Sequence, residues 1–137
     1  MGDTKRRLST AGGKFLVNPL VKTLHRVGLP FPGTAILETT GRKTGRPRRT
    51  PVGNGLDGDT FWIVAEHGER ASYVRNLRAN PCVRVKTGWR WRSGSATPMP
   101  EDDWRARQRR PYMSKANAAI VRIMGTEPMT VRVDLDR

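Results

Sequence analysis

A single cysteine, Cys82, stands in 137 residues, so no disulfide can close within the chain and no cysteine-rich zinc site can form. Its simplest place is as a small apolar residue in a strand. Histidine is nearly as scarce: His25 and His67 lie far apart in the sequence, and no metal site is expected from them. No Ser/His/Asp or Cys/His arrangement stands out either. Apolar runs fall far short of the roughly 20 residues that span a bilayer. No apolar segment with a small-residue cleavage site follows the basic N-terminus, so no secretory signal is expected and the location reads as cytoplasmic. Acidic side chains are the last shortage, with 12 Asp and Glu against 26 Lys and Arg.

The resulting net charge of +14 attracts nucleic acid, an anionic membrane or a polyanionic small molecule. Its distribution favours the last of these. Residues 1–50 hold eleven basic and two acidic residues, whereas residues 101–137 hold eight and six. One anionic site plus a basic arm fits that asymmetry better than a uniformly basic shell. The length is that of one domain, read here as a flexible basic arm (1–13) and a folded unit (14–137).

Turn and cap chemistry divides the folded unit. Asn18-Pro19 starts a helix whose apolar residues end at Gly28 and Pro30. Thr34–Thr40 is β-branched and apolar, a strand; Arg48–Leu56 reads as a second, weakened by Gly53 and Gly55. Asp57-Gly58 is a hairpin signal. Phe61–Ala65 is apolar enough to be a central strand, with Trp62 expected in the core. Tyr73–Ala79 fits a short helix ended by Asn80-Pro81. Val83 and Val85 alternate with Arg84 and Lys86, and Trp89–Ala96 continues as a further strand. Pro100 to Asp103 opens a helix that Pro111 interrupts, with a second piece over Ser114–Met124. Val131, Val133 and Leu135 mark a last strand. About six short strands with a few helices predict an α+β domain, a small barrel packed by helices.

Between the first two strands lies Thr39-Thr40-Gly41-Arg42-Lys43-Thr44-Gly45-Arg46-Pro47-Arg48. Glycines at both ends let the backbone turn and approach a ligand closely. Arg42, Lys43, Arg46 and Arg48 bring charge, while Thr44 and the loop amides bring donors. The glycine spacing is not that of a Walker A loop, and Pro47 begins a strand where that motif needs a helix. Taken alone, the segment is either a grip for a phosphate or similar anion, or a basic hairpin turn kept soluble by its charges.

This turn, followed by Pro51, the Asp57-Gly58-Asp59 hairpin and Asn76-Leu77-Arg78-Ala79-Asn80-Pro81, resembles the deazaflavin-dependent nitroreductase family over roughly residues 16–137. The resemblance implies a split β-barrel with peripheral helices, FMN-binding-like in architecture. It also implies a bound 5-deazaflavin, coenzyme F-420, which carries a phosphate and an oligoglutamate tail. Carried over by position, Lys43 and Arg48 meet the phosphate, with Arg42, Thr44 and Gly45 shaping the loop. Arg46 and the N-terminal basic residues serve the tail, and Pro51 packs near the ring. Ala65-Glu66-His67-Gly68 runs beside the deazaflavin, with any anion contact from His67 depending on its protonation. Asn76 and Arg78 supply a polar and a phosphate contact, or else cap a helix and face solvent.

Several positions depart from that pattern. Tyr73 stands where tryptophan is common, and Val52-Gly53-Asn54-Gly55 replaces bulky apolar residues, which is expected to open space beside the ring. Tyr112 is the one late tyrosine, either packing or orienting a substrate and donating a proton as a catalytic residue. The expected activity is hydride transfer from the reduced deazaflavin to a quinone, enone or nitro compound, by a monomer or homodimer. Other readings stay open: an FMN enzyme or cofactor carrier on the same barrel, or a nucleic-acid-binding barrel in which Trp89-Arg90-Trp91-Arg92 stacks bases. The basic arm also suits peripheral contact with an anionic membrane. Arg105, Arg107, Arg109 and Arg110 are expected on a solvated helical face, and His25 in a structural position.

Overall fold

β1 (Thr34–Thr40) and β2 (Pro47–Gly53) form an antiparallel hairpin whose register sets Thr40 opposite Pro47 and Glu38 opposite Arg49. The computed structural model describes residues 33–137; the basic arm, the helix expected after Asn18 and His25 lie outside that range. β2 is an edge strand, the position in which a sheet tolerates Pro47 and Pro51, since proline has no N–H to donate to a ladder. The remaining strands are β3 (Leu56–Asp57), β4 (Thr60–Ala65), β5 (Cys82–Thr87), β6 (Arg90–Met99) and β7 (Met129–Leu135). They join one sheet in the order β2-β1-β5-β6-β7-β4-β3, with every neighbour antiparallel.

Alternation along the strands explains how that sheet curls. Ala35 and Leu37 of β1, Phe61 and Ile63 of β4, Val83 and Val85 of β5, and Val131 and Val133 of β7 point to one interior and are buried. α1 (Ser72–Ala79) plugs this interior with Val74 and Leu77, both within 1% of full burial. The result is the expected split barrel. It has seven strands where the sequence suggested about six, because the expected strand Arg48–Leu56 breaks at Asn54-Gly55. There the Asn54 side chain accepts from the Leu56 amide at 3.1 Å, closing a local turn that ends β2 and starts β3. The hairpin expected at Asp57-Gly58 joins β3 to β4, with Gly58 at φ +62.

β4 is apolar on both faces because both are covered. Its outer face carries Trp62 and Val64 against Trp104 of α2 (Trp104–Gln108), Tyr112 and Met113, and Val121 of α3 (Lys115–Met124). Trp62 is therefore half-buried under this helical layer and not in the barrel core, where Phe61 sits instead. α2 begins at Asp103, whose carboxylate accepts from the Arg105 and Ala106 amides. Ser114 caps α3 by accepting from the Asn117 amide.

Candidate functional site: a basic turn anchored by a helix

The 41–46 turn is built by short backbone bonds. The Gly41 amide donates to the Arg46 carbonyl and the Gly45 amide to the Gly41 carbonyl, each at 2.8 Å. Gly45 adopts φ +73, a left-handed conformation that favours glycine, and nothing lies within 4 Å of where its Cβ would be. A Cβ on Gly41 would meet the Thr44 hydroxyl at 3.0 Å and the Arg46 carbonyl at 3.1 Å, so the tight crossing favours glycine there. Thr44 braces the turn by accepting from the Arg46 amide at 3.3 Å.

Asn76 fixes the turn to α1. Its Oδ1 accepts from the Arg42 backbone amide at 3.2 Å and from Arg42 Nη1 at 2.8 Å, and its Nδ2 donates to the Thr39 hydroxyl at 3.2 Å. The same Nη1 donates to the Ser72 hydroxyl at 3.2 Å. Asn76 and Thr39 are both buried, so their end of the network is shielded from water, while the Arg42 and Ser72 end is open to it. Arg42 is thereby spent on holding the turn.

What the turn presents outward is different. Lys43, Arg46 and Arg48 are exposed and meet no carboxylate among the described residues. The Lys43 and Thr44 amides likewise have no protein acceptor there. Arg48 lies opposite Thr39, which turns its side chain to the barrel's inner face at the mouth. Arg49, one residue on, points outward, where Glu38 binds it at 3.0 Å and binds Arg84 at 2.9 Å. Arg84, foremost, and Arg49 hold the Glu38 carboxyl below its ordinary range. The sheet's outer face thus carries two cations that share one carboxylate, while Lys43, Arg46, Arg48 and the turn's amides stay open, a donor set that can take an anion.

The other site residues expected from sequence fall into distinct places. Pro51 is half-buried in β2 opposite Ile36. Ala65 ends β4, and the Glu66 carbonyl accepts from the Thr126 amide at 3.0 Å. His67 is buried, its Nδ1 3.1 Å from the Thr126 hydroxyl. Gly68 takes φ +53 with the Glu127 carbonyl 2.3 Å from its would-be Cβ, so this segment is clamped beneath the 125–127 loop. Arg78 is held by Glu69, its Nε donating at 2.6 Å, and that contact foremost lowers the Glu69 carboxyl. Tyr73 is packed against the barrel core, and burial pushes its hydroxyl well above the ordinary range.

Two expectations are overturned here. Gly53 and Gly55 do not open a pocket. A Cβ on Gly53 would fall 2.5 Å from the Asn117 side chain, and one on Gly55 would fall 2.1 Å from the Trp62 carbonyl. Small residues at these positions let α3 and β4 pack close instead. The second concerns the arginines after Asp103. Arg107 is not on a solvated face: it pairs with Asp102 through two bonds of 3.0 and 3.2 Å, and its guanidinium lies 3.7 Å from the Trp62 ring centroid. It also donates to the Tyr112 hydroxyl at 2.9 Å. Asp102 chiefly, with Tyr112 adding, raises its affinity for the proton further above an already high value. No local pattern marks this cluster, because Trp62 joins it from 45 residues away in the chain.

The Trp-Arg alternation is also consumed by folding. Trp91 is flanked by Arg84 and Arg49 at 4.6 and 4.9 Å, and Arg92 binds Asp59 at 2.7 Å; Trp89 is exposed. Nothing in this arrangement supports a base-stacking surface. No group of metal-ligating side chains forms among the described residues, and no helix of theirs is long and apolar enough to cross a membrane.

Comparison with known proteins gives the fold and the family. A family model described as F420H(2)-dependent quinone reductase matches residues 17–136. An F420H(2)-dependent quinone reductase of Mycobacterium tuberculosis is 36% identical over 87 residues, a match covering 59% of this chain and 58% of that protein. Among solved structures, an F420-H2 dependent reductase, FDR-A, superposes with a TM-score of 0.57 at 20% identity, over 77% of this chain and 95% of that one. General Stress Protein 26 of Bacillus anthracis gives 0.57 at 12% identity, over 88% and 89%. These structural likenesses establish the split-barrel fold. The family match, which spans the turn, Asn76 and Tyr112 together, establishes more: this chain belongs to the F420H(2)-dependent quinone reductase family.

Proposed function

We propose that this protein is a quinone reductase that uses the reduced deazaflavin coenzyme F-420 and holds the coenzyme's phosphate in the 41–48 turn. The observation that carries the reading is the open set of donors there. Lys43 and Arg48 bear unpaired charge, and the Lys43 and Thr44 amides point to no protein acceptor, while Asn76 keeps the loop in shape before any ligand arrives. Such preorganisation spares the ligand the cost of ordering the loop. Arg46 lies beside this cluster and suits the acidic tail. Arg78 reaches a phosphate only by leaving Glu69, so the proposal rests on Lys43 and Arg48.

When bound, the deazaflavin supplies a hydride that, with one proton, converts a quinone to a hydroquinone. Pro51 and the 65–68 segment are assigned to the ring's surroundings. Tyr112 is assigned the proton: its oxygen accepts from Arg107, so its own O–H hydrogen is not committed to that bond. Binding is tested by titrating purified protein with F-420, FMN and FAD, following cofactor fluorescence, for wild type and Lys43→Ala. Selective binding of the deazaflavin, weakened in the variant, supports the reading. A yellow protein carrying FMN and indifferent to the deazaflavin would replace it with a flavin enzyme on the same barrel, and no binding at high micromolar coenzyme would reject the cofactor assignment.

A further inference from the structure

A second basic concavity lies away from the turn. The groove between α2 and α3 has a volume of about 440 Å³ and is lined by Arg105, Arg109, Arg110, Lys115 and Arg122, with no acidic side chain. None of the five forms an ion pair among the described residues. The nearby acids are already engaged, Asp102 by Arg107 and Asp103 by the first amides of α2. Five exposed cations thus gather around one hollow and repel one another, with Arg110 also acting on the Asp102 carboxylate. Trp104 adds a half-buried aromatic wall under the Arg105 guanidinium, 4.9 Å from its centroid.

The independent sign of a ligand is Gln108. It lines the groove, is only 9% exposed, and its Nε2 is buried without a hydrogen-bond partner. Buried amide donors are nearly always satisfied, so an orphan one on a residue that lines a cationic hollow points to a missing acceptor. The groove is not an extension of the turn. α3 meets β2 at Gly53, six residues along the strand from Pro47, or about 20 Å at roughly 3.3 Å per residue.

We propose that this groove is a second anion site, taking a compact phosphate-bearing polyanion whose oxygens accept from Gln108 Nε2 and from the surrounding guanidinium and ammonium groups. Arginine forks suit phosphate oxygens, and several unpaired cations select for more than one negative charge. Two sources share that chemistry: a free phosphorylated metabolite and the headgroup of an anionic phospholipid. None of the groove's residues belongs to the turn or is assigned a part in the coenzyme reading, although Arg110 and Pro111 adjoin Tyr112 in the chain.

The test is calorimetric titration with inorganic pyrophosphate at fixed ionic strength, on Lys43→Ala protein, in which competition from the turn is weakened. Gln108→Leu, which leaves net charge unchanged, is expected to weaken binding at least fivefold, and Lys115→Ala with Arg122→Ala at least tenfold. Arg90→Gln, removing an exposed cation on β6, is expected to stay within twofold. Should Gln108→Leu fold poorly, the exposed Lys115 and Arg122 pair against Arg90→Gln decides alone. Affinity that follows total charge, with all arginine and lysine variants weakened alike, would overturn the site. Displacement of pyrophosphate by phosphatidylglycerol vesicles but not phosphatidylcholine vesicles supports the site with a lipid source; no displacement by either supports it with a soluble one.

Discussion

Arg42 and Asn76, 34 residues apart, meet through a single side-chain oxygen that accepts both the Arg42 backbone amide and its guanidinium. The β1–β2 turn, which bears the proposed phosphate site, is thereby locked to α1 by one buried residue. Replacing Asn76 by Ala strands the Arg42 amide and the Thr39 hydroxyl at once. The expected loss is about 1–3 kcal/mol in urea unfolding, together with weaker deazaflavin binding. Asn76→Asp keeps the acceptor for Arg42 and is expected to lose less. Unchanged coenzyme affinity in a folded Asn76→Ala protein would show that the turn needs no anchor.

Lys43 and Arg48 are exposed and unpaired, so removing either is expected to leave stability within about 0.5 kcal/mol. Coenzyme affinity is a different matter. Loss of one charge-assisted contact to phosphate is worth about 1.5–3 kcal/mol, or roughly tenfold or more in Kd. Fluorescence titration at two salt concentrations checks both the size and its screening; a stability loss with unchanged Kd would invert the assignment.

Gly45 and Gly68 separate two causes of glycine preference. Both have positive φ, but a Cβ on Gly45 meets nothing, whereas one on Gly68 would lie 2.3 Å from the Glu127 carbonyl. Gly45→Ala is expected to cost about 1–2 kcal/mol, the left-handed backbone term alone. Gly68→Ala is expected to cost clearly more, because the 125–127 loop must move. Thermal unfolding of the two variants side by side gives the comparison.

Glu38 carries a pH prediction. Its folded pKa is depressed, first by the hydrogen bond from Arg84 and then by Arg49, so its contribution is fully present above the unfolded carboxylate range near pH ~4. That contribution is lost as pH falls through the lower folded value. Glu38→Gln is expected to be less stable than wild type at neutral pH and to show a shallower decline in acid. Asp59 and Glu69 shift in the same direction but are solvent-exposed, so screening makes their share smaller. Parallel acid-unfolding curves for wild type and Glu38→Gln would contradict this.

Arg107 and Tyr112 share a hydrogen bond but not a role. Arg107→Met removes the partner of a partly buried carboxylate, Asp102, and is expected to cost about 1–3 kcal/mol. Tyr112→Phe keeps the Asp102 pair and the Trp62 stack, so stability should fall by no more than about 1 kcal/mol. Under the proton role proposed for Tyr112, kcat for quinone reduction should fall by about a hundredfold with coenzyme Kd unchanged. A kcat near that of wild type would leave Tyr112 a packing residue.

Much of this protein is written in short-range chemistry. The Gly41 to Gly45 turn, the Asp57-Gly58 hairpin, the helix starts near Asp103 and Ser114 and the alternation in β5 and β7 each depend on residues a few positions apart, so the sequence alone determined them, along with the family to which their order belongs. The tertiary structure decided what the side chains do once strands become neighbours. Asn76 meets Arg42 because α1 covers the barrel mouth, Glu38 meets Arg84 because β5 pairs with β1, and Gly53 admits Asn117 because α3 crosses β2. Trp62 leaves the core for Arg107 for the same reason: both faces of β4 are covered, which a run of apolar residues reveals, but which face holds which side chain follows only from register. The basic α2–α3 groove belongs to this second kind, since its cations come from two helices and the bend between them, and only their packing turns a charged stretch of chain into a hollow.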